Sequence, residues 1–229
     1  MSAYSSNYEY ERARSPFAEG ELEPFAIETV KVVFDESFAN CQGIGSMSAW
    51  FSNFTKVTNY EGFENIDTTY LGADTDAGFK NTFANNTSLE NINVSALNTK
   101  GDEKQGISAC ASFANMFFNC LNLKNVVFTD EGGQNTFCLN GDVSEMFSRC
   151  KSLKSVNLSS MDKFSVSKAQ RMFEYCYKLE SLNLGQMNFG DSYMVQDLIK
   201  YCFALNSFTS NNTSKSKISF PELNPTLGN

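Results

Sequence analysis

A repeat constrains this chain more than any other feature of its sequence. Phe147, Cys150, Leu153, Val156 and Leu158 stand at offsets 0, 3, 6, 9 and 11. The same marks return at Phe173, Cys176, Leu179, Leu182 and Leu184, and upstream at Phe117, Cys120, Leu123, Val126 and Phe128. A unit of this size cannot bury its apolar side alone. It must stack on the next copy, so the architecture is a solenoid. The units open at Phe51, Phe83, Phe117, Phe147, Phe173 and Ile199, which lie 32, 34, 30, 26 and 26 residues apart. The basic period is therefore 26, and the early units carry insertions around residues 67–78, 98–109 and 130–141. In the second unit, Asn86 takes the place that later units give to cysteine.

Each unit divides in two. V-S-E-M-F-S-R-C places Val143, Met146, Phe147 and Cys150 at spacings that predict one or two turns of helix. The following K-S-V-N-L-S alternates, with Val156 and Leu158 inward and Ser155, Asn157 and Ser159 outward, which predicts a short strand. Stacked strands would form a parallel sheet with about 4.8 Å between rungs. Helical segments need about 8–10 Å. That mismatch would bend the array with the strands on its concave side. A solenoid needs caps over its end coils. The expected layout is a polar tail or loose cap over 1–24, an N-terminal cap strand within 25–46, six coils over 47–210, and a closing segment over 211–229.

The repeat M-F-x-x-C-x-x-L-x-x-[V/L]-x-L resembles that of the BspA-like leucine-rich-repeat proteins of bacterial surfaces. The opening segments V-K-V-V-F-D-E-S-F-A-N and W-F-S-N-F-T-K-V-T-N-Y-E-G-F-E-N-I-D-T are similar to those of members from gut and oral Bacteroidetes. The resemblance covers roughly residues 26–210. It implies an α/β fold: a curved, right-handed leucine-rich-repeat solenoid with short helical turns on the convex side and a parallel sheet on the concave side. It also implies a non-enzymatic adhesion module, extracellular or at the cell surface, whose partner is a host or bacterial surface protein or a glycan. The chain departs from the family in its long early loops and in lacking an export signal.

Composition excludes several functions. The net charge is −8, and no basic face suggests nucleic acid as a partner. Residues 1–45 hold eight carboxylates against Arg12, Arg14 and Lys31, so most of the acidity is local. There is no histidine, which removes Ser-His-Asp and Cys-His catalysis and every zinc site that uses histidine. No stretch approaches the roughly 18–20 apolar residues of a membrane span. Residues 1–16 lack the apolar core of a signal peptide, which leaves open a cytosolic chain or a mature one.

The remaining candidate chemistry is sparse. Cys120, Cys150, Cys176 and Cys202 share one repeat position and are expected to be buried, reduced thiols about a helix width apart, too far to crosslink. A four-cysteine metal site would need convergence that a line of stacked coils does not supply. Asp74-Thr-Asp76-Ala-Gly78 departs from a calcium loop at Ala77 and Ala84, so no metal or cofactor is expected. Of the Asn-x-Ser/Thr matches at Asn53, Asn86, Asn93, Asn157 and Asn212, three come from the Asn- and Ser-rich repeat itself. Carboxylate-only hydrolysis needs two acids across a cleft, and the outward strand positions offer only Glu61. An enzyme is therefore not expected.

Two surfaces compete as a binding site. The strand strip offers Asn91, Asn93 and Ser95, with Asn125, Val127 and Thr129 beside them. The insertions carry Tyr70, Asp74, Asp76, Lys100, Asp102, Glu103, Lys104 and Phe137, and stacking should gather them on one edge. The expected site is the loop edge with the adjoining strip. Two alternatives stay open: a carbohydrate-active or lectin-like module using Asp74, Asp76, Asp102 and Glu103, or a structural spacer.

Overall fold

The structure is a computed structural model that describes residues 23–41, 44–72, 78–110, 112–129, 137–161, 165–189, 195–210 and 218. It is a β-solenoid of about six coils with parallel strands and little helix. The main strand column runs through β1 (Lys31–Val33), β2 (Asn59–Glu61), β3 (Asn91–Asn93), β4 (Asn125–Val127), β6 (Ser155–Asn157), β8 (Ser181–Asn183) and β10 (Ser207–Thr209). The pairings β1–β2, β3–β4, β6–β8 and β8–β10 are parallel and in register, so Asn91 faces Asn125 and Asn157 faces Asn183. A second parallel column joins β5 (Gly141–Asp142), β7 (Ser165–Lys168) and β9 (Asn188–Phe189) in the later coils.

Alternation along the main strands places their apolar residues inside. Ile92, Val156 and Leu182 are buried between exposed or half-buried neighbours. The Phe that opens each unit forms a continuous stack through the core. Phe51, Phe83, Phe117, Phe147 and Phe173 follow one another with ring centroids 5.3–5.9 Å apart and planes within 16° of parallel. Before β1 lies the short helix α1 (Glu23–Glu28), whose Phe25 packs edge-on against Phe54.

The segments opposite the strands are turns, contrary to the helical expectation. In coil four, Met146, Ser148 and Cys150 donate their N–H groups three residues back, to Val143, Glu145 and Phe147. The intervening residues Val143, Glu145, Phe147 and Arg149 donate outward, to Lys168, Gln170, Met172 and Glu174 of coil five. A helix would spend all of these donors within its own segment. Here half of them hold the next coil, so the turn side is a second backbone ladder. Spacing therefore matches on both sides, and the helix-against-strand mismatch that would have bent the array is gone. Consecutive three-residue turns put apolar residues at offsets 0, 3, 4 and 7, as a helix does, which is why the spacing misled.

Alternate turns require a left-handed residue at their third position, as type II turns do. Among the described residues, twelve other than glycine have positive φ, two per coil and four apart: Asn81 and Asn85, Asn115 and Asn119, Glu145 and Arg149, Arg171 and Tyr175, with Ala49, Asn53, Asp197 and Tyr201 at the two ends. Asn tolerates this conformation best among residues with a Cβ. The early coils use Asn at five of their six such positions, and the later coils use none.

Candidate functional site

The strand strip is the most regular surface. Asn91, Asn93, Asn125 and Val127 are exposed, and Asn125 donates from Nδ2 to Oδ1 of Asn91 across 2.7 Å. In three of the seven main strands the last outward residue is an Asn that closes the strand. Oδ1 of Asn93, Asn157 and Asn183 accepts the N–H of Ser95, Ser159 and Gly185, each at 3.0 Å. Ser95 is buried at 8% exposure, whereas Ser159, held by the same bond, is exposed. Ser95 is therefore removed from the outward strip. Thr129 is half-buried at the same place in the next coil.

Two shallow grooves adjoin the N-terminal end of the strip. One, of about 580 Å³, is lined by Phe34, Asp35, Glu36, Glu61, Glu64 and Asn65 among others. The other, of about 410 Å³, includes Tyr60, Glu61, Glu64, Asn93 and Ala96. Glu61 is held by Lys31 at 2.6 Å and accepts from Asn59. Ser37 donates its N–H and hydroxyl to Asp35, which lowers the Asp35 carboxyl below its usual range. The groove floor is thus rich in carboxylates.

The insertions of the first three coils are tied together by threonine hydroxyls. Thr68 donates to the Asn98 carbonyl at 2.9 Å and accepts the Asn98 N–H. Thr99 repeats this with Cys138, donating to its carbonyl at 2.8 Å. Tyr70 and Lys100 are half-buried beside these bonds. Asp102 and Ile107 form a small antiparallel bridge, with Glu103 and Lys104 exposed at its tip. The Asp102 carboxyl is lowered by Gln105, chiefly through a side-chain bond of 2.8 Å. Asp74 and Asp76 lie outside the described residues. Phe137 is not a loop anchor: it is fully buried, with ring centroids 5.2 Å from Phe128 and 5.6 Å from Phe113. A coil with an insertion encloses extra volume, and Phe137 fills it.

The cysteines behave as thiols. All seven are free, and those of the repeat column are buried. The backbone ladder sets their spacing, in place of the expected helix width. Parallel Cα–Cβ vectors from successive rungs about 4.8 Å apart do not converge as a disulfide requires. Each Sγ instead donates to the Phe carbonyl one coil back: Cys120 to Phe83, Cys150 to Phe117, Cys176 to Phe147 and Cys202 to Phe173, at 3.0–3.1 Å. Asn86 makes the same bond from Nδ2 to Phe51 at 2.7 Å, and its Oδ1 accepts the buried Tyr60 hydroxyl. Burial pushes the Cys120 thiol up to about 12 and raises Cys150 and Cys176 as well. These groups are inert as nucleophiles at neutral pH. Among the described residues no three Cys, Asp or Glu are grouped to hold a metal ion, and no helix is long and apolar enough to cross a membrane.

A further surface is formed by residues that the sequence reading passed over. The turn column that begins Asn53, Asn85, Asn119 continues Arg149, Tyr175, Tyr201. The three Asn form an amide ladder, with Nδ2 of Asn85 and of Asn119 each reaching Oδ1 one coil back at 2.8 and 2.9 Å. Tyr175 and Tyr201 stack at 4.6 Å, and Tyr177 and Phe203 form a parallel pair at 6.2 Å beside them. The 26-residue spacing of both pairs is the signal that would have found them.

With that geometry in place, comparison with known proteins adds little. No family model matches the chain, and no curated protein matches it. Among solved structures, a leucine-rich repeat protein from Bacteroides ovatus is similar at 11% identity, with a TM-score of 0.23. The likeness covers 84% of this chain and 62% of that one, so the chain spans less than two thirds of that protein.

Proposed function

We propose that this chain is a non-enzymatic recognition module of the BspA-like leucine-rich-repeat type, carried at a bacterial surface and binding a protein or glycan. The observation that carries this reading is the strip: exposed Asn and Ser side chains repeated rung by rung, opening at one end into the acidic groove around Glu61. Amide and hydroxyl groups donate and accept without fixed charge. At β-rung spacing they present a regular row of polar groups to a ligand laid along the solenoid. The strand-closing role of Asn93 occupies its oxygen and leaves its Nδ2 to face outward. Parts of the insertion edge, through Tyr70, Lys100, Asp102, Glu103 and Lys104, flank the same half of the molecule.

The four carboxylates lining the larger groove favour a second reading, a carbohydrate-active or lectin-like module. The test is a screen of glycans and matrix proteins with product analysis of every glycan bound. Asn93→Lys with Asn125→Lys should weaken the selected ligand at least tenfold while leaving the fold intact by circular dichroism. Unchanged affinity removes the strip from the site. Release of reducing sugar, lost in Glu61→Gln, would establish the second reading over the first.

A further inference from the structure

The face formed by Arg149, Lys151, Tyr175, Tyr177, Tyr201 and Phe203 lies on the turn side of coils four to six, away from the strip. Three observations set it apart from the rest of the turn side. Tyr177 and Phe203 are large apolar side chains exposed at 41% and 49%. At the equivalent positions coils one and two carry Thr55 and Thr87. Arg149, Tyr175 and Tyr201 hold left-handed backbone, with φ of 66°, 63° and 64°. The early coils place Asn there, at far lower cost, and among the described left-handed residues Tyr175 and Tyr201 alone are aromatic, so backbone strain is accepted at this face for aromatic side chains. The third observation is charge. Lys31, Lys56, Lys124, Lys168, Arg171 and Lys200 all have carboxylates within 4.0 Å. Among the described residues Lys80, Lys104, Lys154 and Lys178 have none, and the same holds for Arg149 and Lys151, the two on this face. They lie instead against rings: Arg149 is 5.4 Å from the Tyr175 centroid and 5.8 Å from Phe118, and Lys151 is 5.9 Å from Tyr177.

Ring orientation decides what this face can hold. Tyr175 stacks on Tyr201 with 16° between planes, and Tyr177 on Phe203 with 5°. The faces are turned toward one another along the solenoid, so the edges point outward. A sugar ring packs on an aromatic face, and within each pair the facing surfaces are covered by the other ring. Aromatic edges carry positive potential and favour carboxylate oxygens and the faces of other rings. The two cations add to the same preference. We infer that this face docks an acidic, aromatic-bearing polypeptide segment.

The probe is a random copolymer of glutamate and tyrosine, labelled for fluorescence anisotropy and titrated with the full chain. Polyglutamate and polygalacturonate are the comparators. The copolymer should bind with an affinity that falls as salt is added, and each comparator should bind at least tenfold more weakly. Tyr177→Thr with Phe203→Thr, and separately Arg149→Asn, replace the face with residues the early coils already use, so both should fold. Each should weaken copolymer binding at least fivefold, and the combination at least twentyfold. Asn93→Lys, on the strip, should leave copolymer binding intact, which separates this face from the site proposed above. Polyglutamate binding as tightly as the copolymer would show that the rings contribute nothing and overturn the inference. Tighter binding of polygalacturonate would make the ligand a glycan and overturn it. So would copolymer binding that neither variant alters, or no copolymer binding at all.

Discussion

Single residues decide whether a coil closes, and Asn85 shows how. Its side chain sits mid-ladder between Asn53 and Asn119, and its backbone is left-handed at φ 62°. Asn85→Gly loses both amide bonds but keeps an easy backbone. Asn85→Ala loses the same bonds and adds the left-handed cost of a Cβ, about 1–2 kcal/mol. Urea unfolding should therefore rank Asn85→Ala below Asn85→Gly by about 1 kcal/mol, and equal losses would mean the turn tolerates any residue. The thiols make a second residue-scale prediction. Exposed Cys41 should react at once with an aromatic disulfide, whereas Cys110 and the four column cysteines should react only on unfolding. Cys110 and Cys120 are raised to about 11 and about 12 in the folded chain. The unfolded chain therefore loses these protons first as pH rises, from about 8.5. Their contribution to stability is whole below that value and is lost as pH climbs through the folded values. The urea midpoint should fall between about pH 8.5 and 11, and fall less in Cys120→Ala.

At the scale of the element, the two sides of a coil differ in what holds them. The strand side is fixed by alternation, with one inward apolar residue and, in three strands, a closing Asn. The turn side is fixed by backbone donors shared with the next coil and by the Phe stack. Phe147 lies between Phe117 and Phe173 at 5.4 and 5.3 Å and is fully buried. Phe147→Ala should cost about 3–5 kcal/mol, as cavities under large rings do. Asn157→Ala, on the outward strand face, removes only the acceptor for the Ser159 N–H, a cap-like loss of about 1 kcal/mol. Thermal unfolding of both variants checks the pair. Comparable losses would mean that the strand closure, and not the ring stack, is the stronger constraint on each coil.

The whole molecule is a one-dimensional array in which each coil meets only its neighbours. Excising Phe147 through Met172 removes one 26-residue period and joins Met146 to Phe173, restoring the local sequence of the repeat. The Phe stack, the cysteine column and both backbone ladders should re-form one rung shorter. The variant should unfold in one cooperative transition, with a denaturant slope lower by roughly a tenth, in proportion to the surface lost. Excision of half a period, Phe147 through Ser159, should not fold, because it removes the Phe, the Cys and the strand of coil four and leaves the rest of that coil without a rung. Loss of cooperativity in the in-phase deletion would show that coils four to six act as a separate unit.

The sequence by itself determined the number of coils, their phase, the inward and outward faces of the strands, and the Phe and Cys columns. All of these follow from periodicity: a side chain's environment in a solenoid is set by its place in the unit, and that place can be counted. Asn93 as an outward residue was readable for this reason. The turn ladder was not. Val143, Met146, Phe147 and Cys150 fit a helix and a run of turns equally well. The choice depends on donors from Val143, Glu145, Phe147 and Arg149 that find carbonyls 25 residues away. The burial of Phe137 was decided by what an inserted coil must fill, and the burial of Ser95 is likewise a tertiary outcome, since Ser159 makes the same bond and stays exposed. The aromatic face belongs to the tertiary structure as well. The 26-residue period puts Tyr175 and Tyr201 in one column, but the stacking of their rings at 4.6 Å was decided only by the packing of successive rungs.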